Sequence, residues 1–367
     1  MCSSIEFRWL SESRVACYSN CFACFSRWQN RCATLSGSPS KIKKARPCIF
    51  PYTSRAESVS VMFENQAAIK KRNKKMVEII SRQIVGDGIF PAAIPEVQFM
   101  RASQHTSRAS VMYEPSVVII LQGQKRGVLG DKHFIYDRNQ FLTLTVPLPF
   151  ECETVGSESE PMIGIIIRLS PALIAEILLQ MDNPTLSGDE IDVVSTRSLT
   201  MHQAGILVRL VESLASPERA RILAGNTLRE FLYDLMREKG GDNLKYLALN
   251  TGKQFQIARI LNQMHQNYAD NFDMAQLARV SGMSVSAFHT HFKQITHATP
   301  LQYLKVIRLH KARMLMINDN MTASQAANRV GYSSNSQFSR EFKRLFGEAP
   351  TVNSARIKRD WFNEKSA

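Results

Sequence analysis

The chain has 367 residues, enough for two or three domains, with 44% hydrophobic residues and a net charge of +14. No stretch reaches the roughly 18 uninterrupted apolar residues of a membrane-spanning helix, so no membrane is expected among its partners. Collagenous and globally disordered compositions are also excluded.

The charge is uneven. Residues 1–61 carry +6 and residues 62–252 carry −1. Residues 253–360 hold 15 Lys and Arg against six Asp and Glu, a local charge of +9. A neutral middle followed by a basic end points to a polyanion-binding module, most simply one for nucleic acid. Six of the seven cysteines lie in the first 48 residues, and only Cys152 lies beyond them. The folded part therefore has no disulfide framework, as expected in a reducing cytoplasm. Cys21-x-x-Cys24 resembles half a zinc site, but with Cys17 and Cys32 its spacing fits no standard finger, and neither metal nor cofactor is expected.

In chain order, residues 1–61 show no helical or strand period and no clean apolar core of a secretory signal. They are expected to be an extension: a disordered tail, a targeting segment, or the product of a mis-assigned start, with Met62 opening the protein. Residues 65–84 predict a helix from the spacing of Ile69, Met76, Val77, Ile80 and Ile84. Its basic run around Lys70 and Lys75 reads as a solvated face. Residues 111–169 predict β-structure. A buried strand spans 117–121, a hairpin turns at Gly130-Asp131, and further strands cover 141–145 and 162–169. Short antiparallel strands at this spacing predict a small barrel or jelly roll. Helices follow at 171–181 and 199–214. A third opens with Ser216 as cap and Pro217 in its first turn, and ends at Gly240-Gly241. A linker covers 240–252.

The C-terminal region repeats itself. Phe288-x-x-x-Phe292-Lys293 returns as Phe338-x-x-x-Phe342-Lys343, and Pro300 returns as Pro350. Ala278-x-x-x-Gly282 returns as Ala327-x-x-x-Gly331. Each copy has the grammar of a helix-turn-helix. In copy one, Asp273 caps the first helix, Gly282 turns the chain and Ser284 caps the second helix. In copy two, Thr322 and Gln325 form a capping box, Gly331 turns the chain, and Ser333 or Ser334 caps the second helix. The paired phenylalanines face the core. The opposite faces present Ser286, His289, Thr290 and Lys293 in copy one, and Asn335, Ser336, Ser339, Arg340 and Lys343 in copy two. Short donors and acceptors with a few cations suit base edges and phosphates in a major groove. Arg340 is the strongest candidate for reading a guanine. A long helix over 300–317 joins the copies.

The segments 304–313 (Leu-Lys-Val-Ile-Arg-Leu-His-Lys-Ala-Arg) and 331–350, from Gly331-Tyr332 through Phe338 and Phe342 to Pro350, closely resemble the AraC/XylS family of bacterial transcription regulators. The resemblance covers about residues 253–352. Upstream, Gln122-Gly123-Gln124-Lys125, Tyr136-Asp137 and Pro147-Leu148-Pro149 resemble the N-terminal domain of one branch of that family. The resemblance implies an α+β chain: a cupin-like β-barrel with helices at 62–182, a helical dimerisation or linker region at 183–249, and an all-α double helix-turn-helix domain at 250–355. It implies a transcriptional regulator, usually an activator, with double-stranded promoter DNA, RNA polymerase, a small-molecule effector and a second copy of itself as partners. Aldehyde-related genes associated with the branch make an aldehyde-like effector the expectation. One departure is His297, where the family usually has the glycine that Gly347 supplies in copy two.

An enzymatic barrel is not expected. Between residues 62 and 200 the only histidines are His105 and His133, and neither forms a His-x-His pair. No nucleotide-binding loop or Gly-x-Ser-x-Gly is present. Cys152 has two readings: a small buried hydrophobe, or a sensing thiol at the barrel mouth. Glu151 and Glu153 flank it and are expected to raise its pKa, unless a cation lies closer in space.

Overall fold

The structure is a computed structural model that describes residues 53–182, 192–238, 240–248 and 252–363. The early cysteines and most of the expected extension lie outside the described residues. Helix α1 (Thr53–Ser81) begins before the expected 65 and runs through Met62. Met76 and Ile80, four residues apart, are fully buried on its inner face.

Ten strands follow: β1 (Gly88–Pro91), β2 (Val97–Ala102), β3 (Thr106–Tyr113), β4 (Ser116–Gln122), β5 (Gln124–Leu129), β6 (Lys132–Asp137), β7 (Gln140–Leu144), β8 (Leu148–Val155), β9 (Met162–Arg168) and β10 (Val194–Ser198). They form two antiparallel sheets. One has the order β1-β2-β9-β4-β7-β10, the other β3-β8-β5-β6. The run Val117–Leu121 is apolar throughout because β4 is central and covered on both faces. Val117, Ile119 and Leu121 pack with the helices. Val118 and Ile120 pack toward the second sheet, with Tyr136, Phe150 and Cys152. The expected hairpin is present, with Gly130 in its turn at φ +58°.

Three helices cover the larger sheet: α2 (Pro171–Leu178), α3 (Met201–Leu214) and α4 (Gly225–Arg237). Before α4 come a short turn, Pro217–Arg219, and a π-helical turn, Ala220–Ala224. The hydroxyl of Ser216 makes no capping bond. Pro217 opens this helix through its fixed φ. Only helices were expected between 183 and 249, yet β10 lies there and pairs with β7 along its whole length. Its sequence, Val-Ser-Thr-Arg-Ser, is a short polar edge strand held by backbone pairing, so it carries almost no hydrophobic signal.

The C-terminal region is all helical: α5 (Gly252–Gln266), α6 (Met274–Val280), α7 (Val285–Thr296), α8 (Pro300–Asn318), α9 (Ala323–Arg329), α10 (Asn335–Phe346) and α11 (Pro350–Asn363). The α+β class and its division into a β-domain followed by a double helix-turn-helix are as expected. No helix among the described residues is long and apolar enough to cross a membrane.

Candidate nucleic-acid interface and the polar cluster in the barrel

Both helix-turn-helix copies are built from the expected local chemistry. Asp273 accepts from the backbone N–H of Ala275, and Ser284 from that of Ala287. In copy two the capping box of Thr322 and Gln325 is complete, and Ser334, not Ser333, caps α10. Each satisfies a helix N–H that would otherwise lack a partner. Gly331 has φ +86°, and a Cβ there would lie 2.4 Å from the carbonyl oxygen of Ala269. Only glycine fits this turn. His297 and Gly347 both end their recognition helices in the left-handed conformation, at φ 55° and 79°.

In copy one, Phe288 and Phe292 are fully buried, and Ser286, Thr290 and Lys293 are exposed. His289 is half-buried, edge-on to the Phe288 ring at 5.9 Å. The Thr290 hydroxyl donates back to the Ser286 carbonyl at 3.0 Å. In copy two, Asn335, Ser336, Ser339, Arg340 and Lys343 are all exposed. Asn335 Nδ2 donates to Ser324 Oγ at 2.8 Å, which ties α10 to α9. Arg344 is a further exposed cation on α10 that the spacing argument did not select.

Helix α8 holds α10 by a carboxylate hub. Glu341 accepts from Lys305 Nζ at 2.7 Å, from Tyr332 Oη at 2.7 Å and from Gln337 Nε2 at 3.1 Å. Partial burial works against its charge, but these donors outweigh it and hold the carboxyl below its usual range. Arg308 donates to the carbonyls of Tyr268, Asp270 and Gly331, clamping the turn of copy two to the loop after α5.

Copy one is joined to the barrel. Its core residues Ile257, Leu261, Phe288, Phe292 and Tyr303 belong to the same apolar cluster as Val118, Leu142, Phe150 and Cys152. Tyr303 Oη donates to the Pro147 carbonyl at 2.6 Å and lies 2.9 Å from His265 Nε2. Burial, then Lys311, lowers the His265 pKa to about 4, so the ring is neutral, and because the phenol proton goes to Pro147 the contact requires the Nε2–H tautomer as donor. Ser110 on β3 bonds His310 Nε2 on α8 at 3.0 Å, where burial above all, then Arg313 and His265, lower the imidazole pKa to about 3. His297 packs on the hairpin turn, where a Cβ at Gly130 would lie 2.7 Å from its Nδ1.

Inside the barrel, Cys152 is buried on β8, between Ala109 of β3 and Gly127 of β5. Its Sγ lies 3.6 Å from Tyr113 Oη. That phenol is also 3.3 Å from Tyr136 Oη and 3.4 Å from Lys125 Nζ. Burial pushes the thiol pKa up, and Lys125 pulls the other way. Burial lowers the Lys125 pKa. Glu151 and Glu153, expected to act on the thiol, take the opposite face of β8. There Glu151 meets Arg108 at 3.3 Å, and Glu153 meets His105 at 3.5 Å and Arg126 at 3.6 Å. The cation nearer in space is Lys125. Period-2 reading of β5 could have found it, since Lys125 shares the inward face with Gly127 and Leu129.

Residues 93–243 match a family model described as the AraC-type transcriptional regulator N-terminus, and residues 277–355 match one for a helix-turn-helix domain. The transcriptional regulator AlkR of Acinetobacter baylyi is 38% identical over 95 residues, which are 26% of this chain and 31% of AlkR. The transcriptional activator RhaR of Mannheimia succiniciproducens is 25% identical over 164 residues, 45% of this chain and 58% of RhaR. The chain thus spans about a third to somewhat over half the length of the curated relatives it matches. Among solved structures, unsaturated fatty acid bound ToxT from Vibrio cholerae has a TM-score of 0.50 at 12% identity, covering 73% of this chain and 96% of that one. An apo ToxT variant has a TM-score of 0.51 at 12% identity, covering 70% of this chain and 96% of that one. At such identity the likeness shows the fold alone. With both domain models matched in the expected order and the duplicated helix-turn-helix in place, the chain belongs to the AraC/XylS family of transcriptional regulators.

Proposed function

We propose that this regulator is a one-component switch whose two recognition helices bind promoter DNA and whose barrel binds a small effector. The observation that carries the reading is the pair of corresponding helices α7 and α10, each buried on its phenylalanine face and exposed on a polar face of hydroxyls and one or more cations. Arg340 makes no hydrogen bond or ion pair among the described residues and is the proposed guanine reader. Ser336 and Ser339 supply neighbouring contacts, and Lys343 and Lys293 contact phosphates. Ser286, His289 and Thr290 make the weaker contribution of copy one. Asn335 acts with Ser324. Activation through RNA polymerase is the proposed outcome, and a second copy the proposed oligomeric partner. A genome-wide footprint tests the reading. It should return sites with two contact blocks about one helical turn, roughly 10 bp, apart. A footprint without enriched sites would overturn it.

The proposed effector is a small electrophile of aldehyde type, bound at Cys152, Tyr113, Tyr136 and Lys125. The thiol sulfur would add to the carbonyl carbon, and the thiol proton would pass to the carbonyl oxygen to give a hemithioacetal. Burial raises the thiol pKa, and Lys125 supports this reading only as the cation that opposes that rise. The shared core of barrel and copy one supports a route from effector to DNA. Cys152→Ser should bind operator normally and fail to respond to an electrophilic inducer. A full response would leave Cys152 as packing and make the effector a noncovalent ligand.

A further inference from the structure

We propose that the cleft between α1 and the barrel is a second small-molecule site, for a hydroxylated organic anion of the sugar-acid or sugar-phosphate class. The cleft has a volume of about 940 Å³, within the range of sites that hold small ligands. It uses none of the residues of the barrel cluster or the recognition helices.

Three features of its lining select the ligand. Lys70, Lys71 and Lys74 project from α1 into the cleft. All three are exposed, and none is paired with a carboxylate among the described residues. The one arginine in the lining, Arg138, is already bonded to Glu160. The three lysines therefore set the sign of the field, and an anion is favoured.

The second feature is Asn73, which lies on the same helix but is 4% exposed. Its Nδ2 donates to Asn139 Oδ1 at 2.8 Å, whereas its own Oδ1 has no donor. Buried polar atoms are rarely left unpaired. A ligand that brings an O–H to this acceptor completes it, and an anion without a hydroxyl, such as sulfate, does not. An amino acid could bring an N–H, but as an ammonium it would meet three lysines. Asn139 is held at φ 70° in the turn between β6 and β7, so the acceptor that positions Asn73 is fixed by the fold.

The third feature is an apolar floor of Val77 and Leu121. Such a surface suits the C–H face of a sugar ring. The cleft thus offers cations, one unmet acceptor and an apolar floor together, and a hydroxylated anion matches all three.

Calorimetric titration of the full chain tests this with gluconate, glucose 6-phosphate, glucose and inorganic phosphate. Gluconate or glucose 6-phosphate should bind saturably. Glucose and inorganic phosphate should each bind at least about tenfold more weakly, since one lacks the charge and the other the ring with its C–H face. The double variant Lys71→Gln with Lys74→Gln changes only exposed side chains. It should lose at least about tenfold in affinity while keeping the wild-type melting curve and operator affinity. Three results would overturn the proposal: no binding of either hydroxylated anion up to about 10 mM, phosphate binding as tightly as glucose 6-phosphate, or full affinity in the double variant. Each would leave the DNA-binding reading untouched, because operator binding is measured separately on the same samples.

Discussion

The two helix-turn-helix copies share one local grammar and differ in what they pack against. Copy one buries Phe288 and Phe292 in a cluster continuous with the barrel interior. Copy two buries Phe338 and Phe342 in a separate cluster with Leu309, Ala312, Ala327 and Val330. Copy one ends its recognition helix on His297, whose ring lies on the barrel hairpin, whereas copy two ends on Gly347 with open space around it. Their exposed faces differ as well: one cation, Lys293, on α7, against Arg340, Lys343 and Arg344 on α10. Duplication therefore does not mean equivalence. Copy one is packed against the barrel, and copy two carries more of the exposed positive charge.

The largest expected effect separates the two cores. Phe342→Ala should cost about 3–5 kcal/mol, the range for truncating a fully buried phenylalanine. Because its cluster is separate, the loss should appear as an early unfolding step of copy two, with the barrel transition unmoved. Phe292→Ala should instead lower the main transition, because its cluster includes barrel residues. Differential scanning calorimetry distinguishes them, and identical thermograms would contradict the division.

Next comes pH. His265 and His310 lie at the junction of barrel and α8, with pKa values lowered to about 4 and about 3. Unfolded, both return to about 6.5. The unfolded chain then binds more protons than the folded one between about pH 6.5 and 4, so stability is present at pH 7 and is lost as pH falls. From pH 7 to pH 5 the loss should be roughly 2–4 kcal/mol in urea melts. Replacing both histidines with Gln should flatten the profile. An unchanged slope would show that these imidazoles are not the groups that titrate.

A smaller effect tests the docking itself. Tyr303→Phe removes the phenol between Pro147 and His265, and leaving their buried polar atoms without a partner should cost about 1–3 kcal/mol. The loss should also loosen copy one from the barrel, seen as faster hydrogen exchange in α7 while α10 is unchanged. Equal acceleration in both helices would mean that the junction does not discriminate between the copies.

How much of this was legible in the sequence depends on how local each signal is. The helix-turn-helix copies were readable because a cap, a turn glycine and a pair of phenylalanines lie within a few residues of one another. The Val117–Leu121 strand was readable because burial on both faces leaves an unbroken apolar run. Strands β1, β2 and β10 and the first half of β3 lie outside the expected β-region: Thr106 to Ala109 are exposed and β10 is a polar edge. The barrel cluster was half visible. Cys152 stood out by its isolation, but Tyr113, Lys125 and Tyr136 come from three other strands, and only sheet register brings them to it. The shared core between barrel and copy one was hidden for the same reason. A buried phenylalanine looks alike in sequence whether its neighbour belongs to its own domain or to another.

The central claim, that copy two carries most of the base reading, is tested most directly by selecting bound sequences with the wild type, Arg340→Ala and Thr290→Ala. Arg340→Ala should lose about 1–3 kcal/mol of operator affinity and relax the preference at one base pair. Thr290→Ala should change little, because the Thr290 hydroxyl is engaged with the Ser286 carbonyl. Unchanged affinity and preference in Arg340→Ala, with a loss in Thr290→Ala, would reverse the assignment of the two copies.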